Sequence, residues 1–84
     1  MNRKLLKIGT FNCQSLNKVE KMLHLKDRLN ILKIDILFIQ ETHQDNVKDH
    51  DNLIKYLSDF NVITELTDYK SKGVGILIKK VFKF

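Results

Sequence analysis

The sequence has no proline, a single cysteine, only two arginines, and no apolar run approaching the ~18 residues of a membrane helix. Each absence excludes something. Without proline, and without any low-complexity tract, repeat or shift of composition, nothing marks a linker within the 84 residues, so one small domain is expected. At that length folding removes only about two-thirds of the unfolded chain's surface from water, and the core is marginal. The lone Cys13 cannot belong to an intrachain disulfide framework. It suggests an intracellular setting, and its default role is that of a small buried hydrophobe. Arg3, Lys4 and Lys7 give the N-terminus charge, but the apolar run beside them breaks at once, so no secretory signal is read. Cysteine and histidine never fall at zinc-ligand spacing. No G-x-G-x-x-G loop follows a strand, because Gly73 and Gly75 open one instead. No Ser–His–Asp arrangement can be argued.

What is present is positive charge. Lysine and arginine total 15 against 10 acids, giving a net charge of +5 and a pI near 9.4. This permits an anionic partner such as nucleic acid without specifying one. Nearly all of it is lysine, with Arg3 and Arg28 the exceptions, whereas phosphate recognition often uses more arginine. A lysine-rich proteome explains the balance equally well. Hydrophobic content of 43% and charged content of 30% are ordinary for a soluble globular domain.

The pattern alternates between two periods. Residues 4–12 read as a strand, with Leu6, Ile8, Thr10 and Asn12 on one face. Residues 17–33 read as a helix, with Asn17 as N-cap and Glu20 completing a capping box. Val19, Met22, Leu25, Leu29 and Leu32 recur at helical steps as a core stripe. Residues 35–41 form a second strand, whose near-continuous apolar run predicts burial on both faces. Strand, helix and strand make a βαβ unit with parallel strands. Residues 42–49 read as a loop containing His43, and 50–58 as a short helix burying Leu53, Ile54 and Leu57. Residues 61–66 and 73–82 read as strands joined by a turn at 68–73; Gly75 inside the last strand marks a bulge or a close backbone approach. The fold class is therefore α/β, with about four strands and two helices. Strands this apolar ask for cover on both sides, so the sequence reads as a piece of a larger domain.

Sites in such sheets gather outside the carboxyl ends of parallel strands. Asn12 and Glu41 fall at the ends of the first two strands and would share one rim. A carboxamide oxygen and a carboxylate are hard donors, suited to Mg²⁺ or Mn²⁺. From spacing alone the bland reading is the stronger one: Asn12 begins a turn, and Glu41 is the first solvated residue after a strand.

Three segments in order carry a resemblance. KIGTFNCQSL (7–16), DILFIQETH (35–43) and GVGILIKK (73–80) resemble the beginning of the endonuclease/exonuclease/phosphatase superfamily. Within it, they are most similar to the AP-endonuclease-like domain at the N-terminus of non-LTR (LINE-type) retrotransposon polyproteins. Phe11 stands where the family often has tryptophan, and Gly75 where alanine is common. The resemblance implies a four-layer α/β sandwich of two face-to-face sheets, of which residues 1–84 would be the truncated N-terminal part. It implies Mg²⁺-dependent (or Mn²⁺-dependent) phosphodiester cleavage of DNA. Glu41 matches the metal-binding glutamate, Asn12 the asparagine beside it, and Gln40 a supporting glutamine. His43 lies where the family varies and is given no catalytic role; His24 and His50 lie outside matching contexts.

The family's later Asp–Asn and Asp–His pairs have no counterpart in this sequence. The implied function is the N-terminal part of a retrotransposon-type endonuclease domain, inactive alone, with the rest of a polyprotein and DNA as partners and no membrane. An intracellular location with access to the nucleus follows. The alternative is a small basic nucleic-acid-binding module without catalysis. A lipid-directed phosphatase of the same superfamily is a third and remoter reading.

Overall fold

A computed structural model of the protein describes residues 5–42, 47–64 and 73–82. In chain order these form β1 (Ile8–Asn12), α1 (Val19–Leu32), β2 (Ile36–Gln40), α2 (Val47–Tyr56), β3 (Phe60–Thr64) and β4 (Val74–Lys79). The strands make one sheet in the order β1-β2-β4-β3. The expected βαβ unit is present: β1 and β2 are parallel neighbours, with Ile8 opposite Ile36 and Asn12 opposite Gln40. The last strand inserts between β2 and β3 and runs antiparallel to both.

Both helices lie on one side of this sheet. Met22, Leu25 and Leu29 of α1, Leu53 of α2 and Leu57 just after it share a buried cluster with Leu37, Ile39, Phe60 and Leu77. The strand pleat sends alternate residues to the other side, and there Phe38 remains 43% exposed and Ile63 48%. The expectation that β2 is buried on both faces is thus corrected. Its continuous apolar run reflects apolar side chains on both faces, with helices over only one. Two layers are described, one sheet and one of helices.

The element boundaries carry further corrections. β1 begins at Ile8 rather than in residue 4's neighbourhood, although Lys7 already bonds to Asp35 and Ile36. The cap of α1 is Lys18, in extended backbone and without a side-chain bond, rather than Asn17. Of the predicted stripe, Val19 and Leu32 are exposed because they sit at the helix ends, beyond the sheet. α1 stops at Lys33, whose left-handed backbone lets the amides of Lys33 and Ile34 bond to Asn30 and Leu29. α2 starts at Val47, inside the segment read as loop; Leu53 and Leu57 are buried but Ile54 is on its outer side. Residues 65–66 of the third predicted strand and 68–72 of the turn lie outside the described residues. β4 ends at Lys79 in a turn rather than continuing to residue 82.

Gly75 is a close approach rather than a bulge. The pairing is regular through it, and a Cβ there would lie 2.7 Å from Thr64 Cγ2 and 2.9 Å from the Ile63 carbonyl oxygen.

Candidate metal centre

The parallel pairing of β1 and β2 sends both strands out at the same rim, and the rim is built by the chain beyond the strands. The Cys13 amide donates to the Gln40 carbonyl at 2.8 Å, Ser15 to the Glu41 carbonyl at 2.8 Å, and Leu16 to the Thr42 carbonyl at 2.7 Å. The Thr42 amide donates to Gly73 at 3.2 Å, tying this extension to the start of β4. To make these bonds the backbone turns through left-handed conformations at Gln14 (φ 47°), Ser15 (φ 80°) and Glu41 (φ 52°). None is glycine, and such residues cost about 1–3 kcal/mol each. The strain is concentrated where the two strand ends meet.

Its effect is to bring Asn12 and Glu41 together. Asn12 Nδ2 donates to Glu41 Oε2, while Asn12 Oδ1 accepts the Gln14 amide at 3.1 Å. The carboxamide is therefore held at both ends. Lys21, in the first turns of α1, donates its ammonium to the Gln14 carbonyl, so a positive charge stands beside the same turn. Lys21 lies off the apolar stripe of α1, and helical periodicity alone does not show this contact. Its position shortly after the turn, at the start of the crossover helix, was the available signal.

Cys13 is buried as expected, and its thiol pKa is pushed up to about 11. Burial is the main cause, opposed by the Lys21 charge and the Gln40 backbone bond, with the Glu41 carboxylate adding to the rise. At neutral pH the group is a thiol, poorly suited to nucleophilic or ligand chemistry.

The other candidates fall in different places. Gln40 donates from Nε2 to Thr10 Oγ1 at 2.8 Å, on the uncovered side of the sheet. It clamps β1 to β2 one residue before the rim. Thr42 is fully buried, and its hydroxyl finds no hydrogen-bond partner among the described residues. His43 lies outside the described residues. His24 is exposed on α1. His50 belongs to α2, and its Nδ1 lies 2.6 Å from Thr64 Oγ1 at the end of β3.

Among the described residues no cluster of three or more His, Cys, Asp or Glu is arranged around a common point. A cation at this rim would take the Glu41 carboxylate, could take the Asn12 amide oxygen, and would complete its shell with water or substrate oxygens. That donor set fits Mg²⁺, which keeps several waters and binds through one or two carboxylates. It fits zinc poorly, since among the described residues no cluster of His, Cys, Asp or Glu suited to it forms at this rim. Among the described residues no helix is long and apolar enough to cross a membrane.

A model of the endonuclease/exonuclease/phosphatase family matches residues 9–83. No curated protein matches the chain.

Proposed function

Since the chain belongs to the endonuclease/exonuclease/phosphatase family, we propose that the Asn12–Glu41 rim is the metal-binding half of a phosphodiester-cleaving centre acting on DNA. The observation that carries this is the pairing of Asn12 with Glu41 across two parallel strand ends, on backbone strained at three non-glycine positions. Strain of this kind accumulates at functional sites. The order of the three motif segments favours the retrotransposon-type endonuclease within the family.

In this reading Glu41 supplies the anionic ligand. Asn12, fixed by the Gln14 amide, orients that carboxylate and offers its own oxygen. When bound, Mg²⁺ polarises a phosphate oxygen and stabilises charge on the leaving group. Lys21 keeps positive charge beside the turn and favours an anionic substrate over a neutral one. Gln40 holds the two strands in register beneath the rim. In-line attack also requires a base for the water, and no described residue is assigned that part. The proposal is therefore that the 84-residue chain alone nicks DNA negligibly. Its working context would include DNA, further polypeptide supplying the base, and access to the nucleus.

The test pairs metal binding with turnover. Mn²⁺ titration should show a site that Glu41→Ala removes, while nicking of supercoiled plasmid with Mg²⁺ stays near background. Absence of any Glu41-dependent metal binding defeats the reading. Robust nicking lost in Glu41→Ala would keep the site and defeat the claim that the chain is catalytically incomplete.

The net charge of +5 supports a second reading, a basic nucleic-acid-binding module in which Glu41 is structural. Its signature is DNA binding that weakens steeply with salt and is unchanged in Glu41→Ala and by removal of divalent ions.

A further inference from the structure

Lys21 sits in the first turn of α1. A positive charge is disfavoured there, because the free amides of a helix start are themselves electropositive. Glu20 beside it is the ordinary choice. What the lysine reaches is the Gln14 carbonyl, seven residues back, which accepts from its ammonium. That carbonyl belongs to the peptide unit between Gln14 and Ser15. The amide of the same unit is that of Ser15, which donates to the Glu41 carbonyl at 2.8 Å. One rigid plane thus takes a bond from Lys21 at one edge and gives a bond to the Glu41 backbone at the other.

The residues flanking this plane, Gln14 (φ 47°) and Ser15 (φ 80°), stand in left-handed backbone, as does Glu41 (φ 52°). Side chains other than glycine's disfavour that region. Rotating the plane would release Ser15 from positive φ, and it would break both bonds. The charge on Lys21 opposes that rotation. An ionised donor makes the stronger kind of hydrogen bond, and polarising the carbonyl makes the Ser15 amide a better donor in turn. The preceding peptide is held as well, since the Gln14 amide donates to Asn12 Oδ1 at 3.1 Å and Asn12 Nδ2 donates to Glu41 Oε2. Gln14 is the shared member of two paths from Lys21 to Glu41. One reaches the Glu41 backbone through Ser15, and the other reaches its carboxylate through Asn12.

We propose that Lys21 is a positioning residue of the rim: through the Gln14–Ser15 peptide it holds Glu41 in the left-handed conformation that brings the carboxylate to Asn12, and so sets the affinity for a divalent cation. The proposal rests on the reading of Asn12 and Glu41 as metal-binding residues. The Lys21 ammonium is itself no ligand. Taken as a charge alone it repels a cation, and its removal would then tighten binding. Taken as the group that holds the turn, its removal weakens binding. The two roles therefore predict changes of opposite sign.

The test titrates Mn²⁺ into the parent, Lys21→Met, Lys21→Arg and Glu41→Ala. Lys21→Met keeps the apolar stem and removes the donor, and should weaken Mn²⁺ binding at least tenfold. Lys21→Arg keeps charge and donors and should stay within threefold of the parent. A second readout needs no metal. Amide exchange at Ser15 should quicken at least tenfold in Lys21→Met, while exchange at Leu37, in the middle of the sheet, stays the same. That contrast separates a loosened turn from a loss of overall stability. If Lys21→Met loses its native spectrum, Lys21→Ala, with the higher helix propensity, takes its place. Mn²⁺ binding in Lys21→Met as tight as the parent's, or tighter, overturns the proposal and leaves the metal reading standing. An unchanged Ser15 exchange rate does the same. Absence of Glu41-dependent Mn²⁺ binding in the parent overturns both.

Discussion

The Ser15 amide donates to the Glu41 carbonyl at 2.8 Å, and both residues stand in left-handed backbone, at φ 80° and 52°. The bond joins two strained residues from segments that leave the sheet side by side. Glu41→Gly and Glu41→Ala remove the same carboxylate, but only glycine relaxes at positive φ. The glycine variant should be more stable than the alanine variant by about 1 kcal/mol, measured by urea denaturation. Neither should bind Mn²⁺. Equal stabilities would show that Glu41 is not strained in solution.

Asn12→Asp places a second carboxylate against Glu41. Two like charges this close raise the folded-state pKa of one of them. Folded pKa above unfolded pKa means stability that is present at low pH and lost as pH rises through the folded value. The variant should therefore approach the parent's stability near pH 4 and fall below it at pH 7. Mn²⁺ should bind it more tightly than the parent, and saturating Mn²⁺ should restore much of the lost stability. Thermal melts with and without Mn²⁺ at the two pH values decide the matter.

Thr42 buries a hydroxyl with no partner among the described residues, at a cost of about 1–3 kcal/mol for an unsatisfied group. Thr42→Val keeps the shape and removes the hydroxyl, and should raise the denaturation midpoint. Thr42→Ala removes a buried methyl as well and should not. A Thr42→Val variant less stable than the parent would mean that the hydroxyl is satisfied in solution.

Gly75→Ala puts a methyl 2.9 Å from the Ile63 carbonyl and 2.7 Å from Thr64 Cγ2. Backbone cannot yield as a side-chain tip can, so β3 must shift. The expected loss is about 1–3 kcal/mol, with the largest amide shift changes at Ile63 and Thr64. An unchanged melt would show that β3 and β4 are further apart than described.

The Cys13 thiol pKa is raised from 9.0 to about 11 by burial. The unfolded chain therefore loses this proton at lower pH than the folded one. Its contribution to stability is complete below pH 9 and is lost as pH rises toward about 11. The stability difference between the parent and Cys13→Ala should shrink across that interval. Thiol reagents at pH 8 should label the native protein slowly and the unfolded protein fast.

Much of this molecule is legible in its sequence because periodicity is a local signal. Met22, Leu25 and Leu29 announce α1, and the alternation at residues 8–12 announces β1. The placement of Asn12 and Glu41 on one rim followed from a single topological inference, that β1 and β2 are parallel neighbours. What was hidden is non-local or conformational. Ile36–Ile39 look the same whether one or both faces are covered. Left-handed backbone at Gln14, Ser15 and Glu41 is invisible, since these residue types do not favour it and only the bonds between the segments impose it. Lys21 looked like any solvated lysine until the turn beneath it was placed.

The strand order β1-β2-β4-β3 has a temporal side. Of the four described strands, Val74–Lys79 leaves the ribosome last, and it is the one that joins β2 to β3. Until it emerges, the βαβ half and the segment containing α2 and β3 have no shared ladder. Before then the edges of β2 and β3 that pair with it are open, and its arrival joins the two ladders. Slow synthesis through residues 65–79 would prolong that interval and the exposure to mispairing or chaperone capture that comes with it.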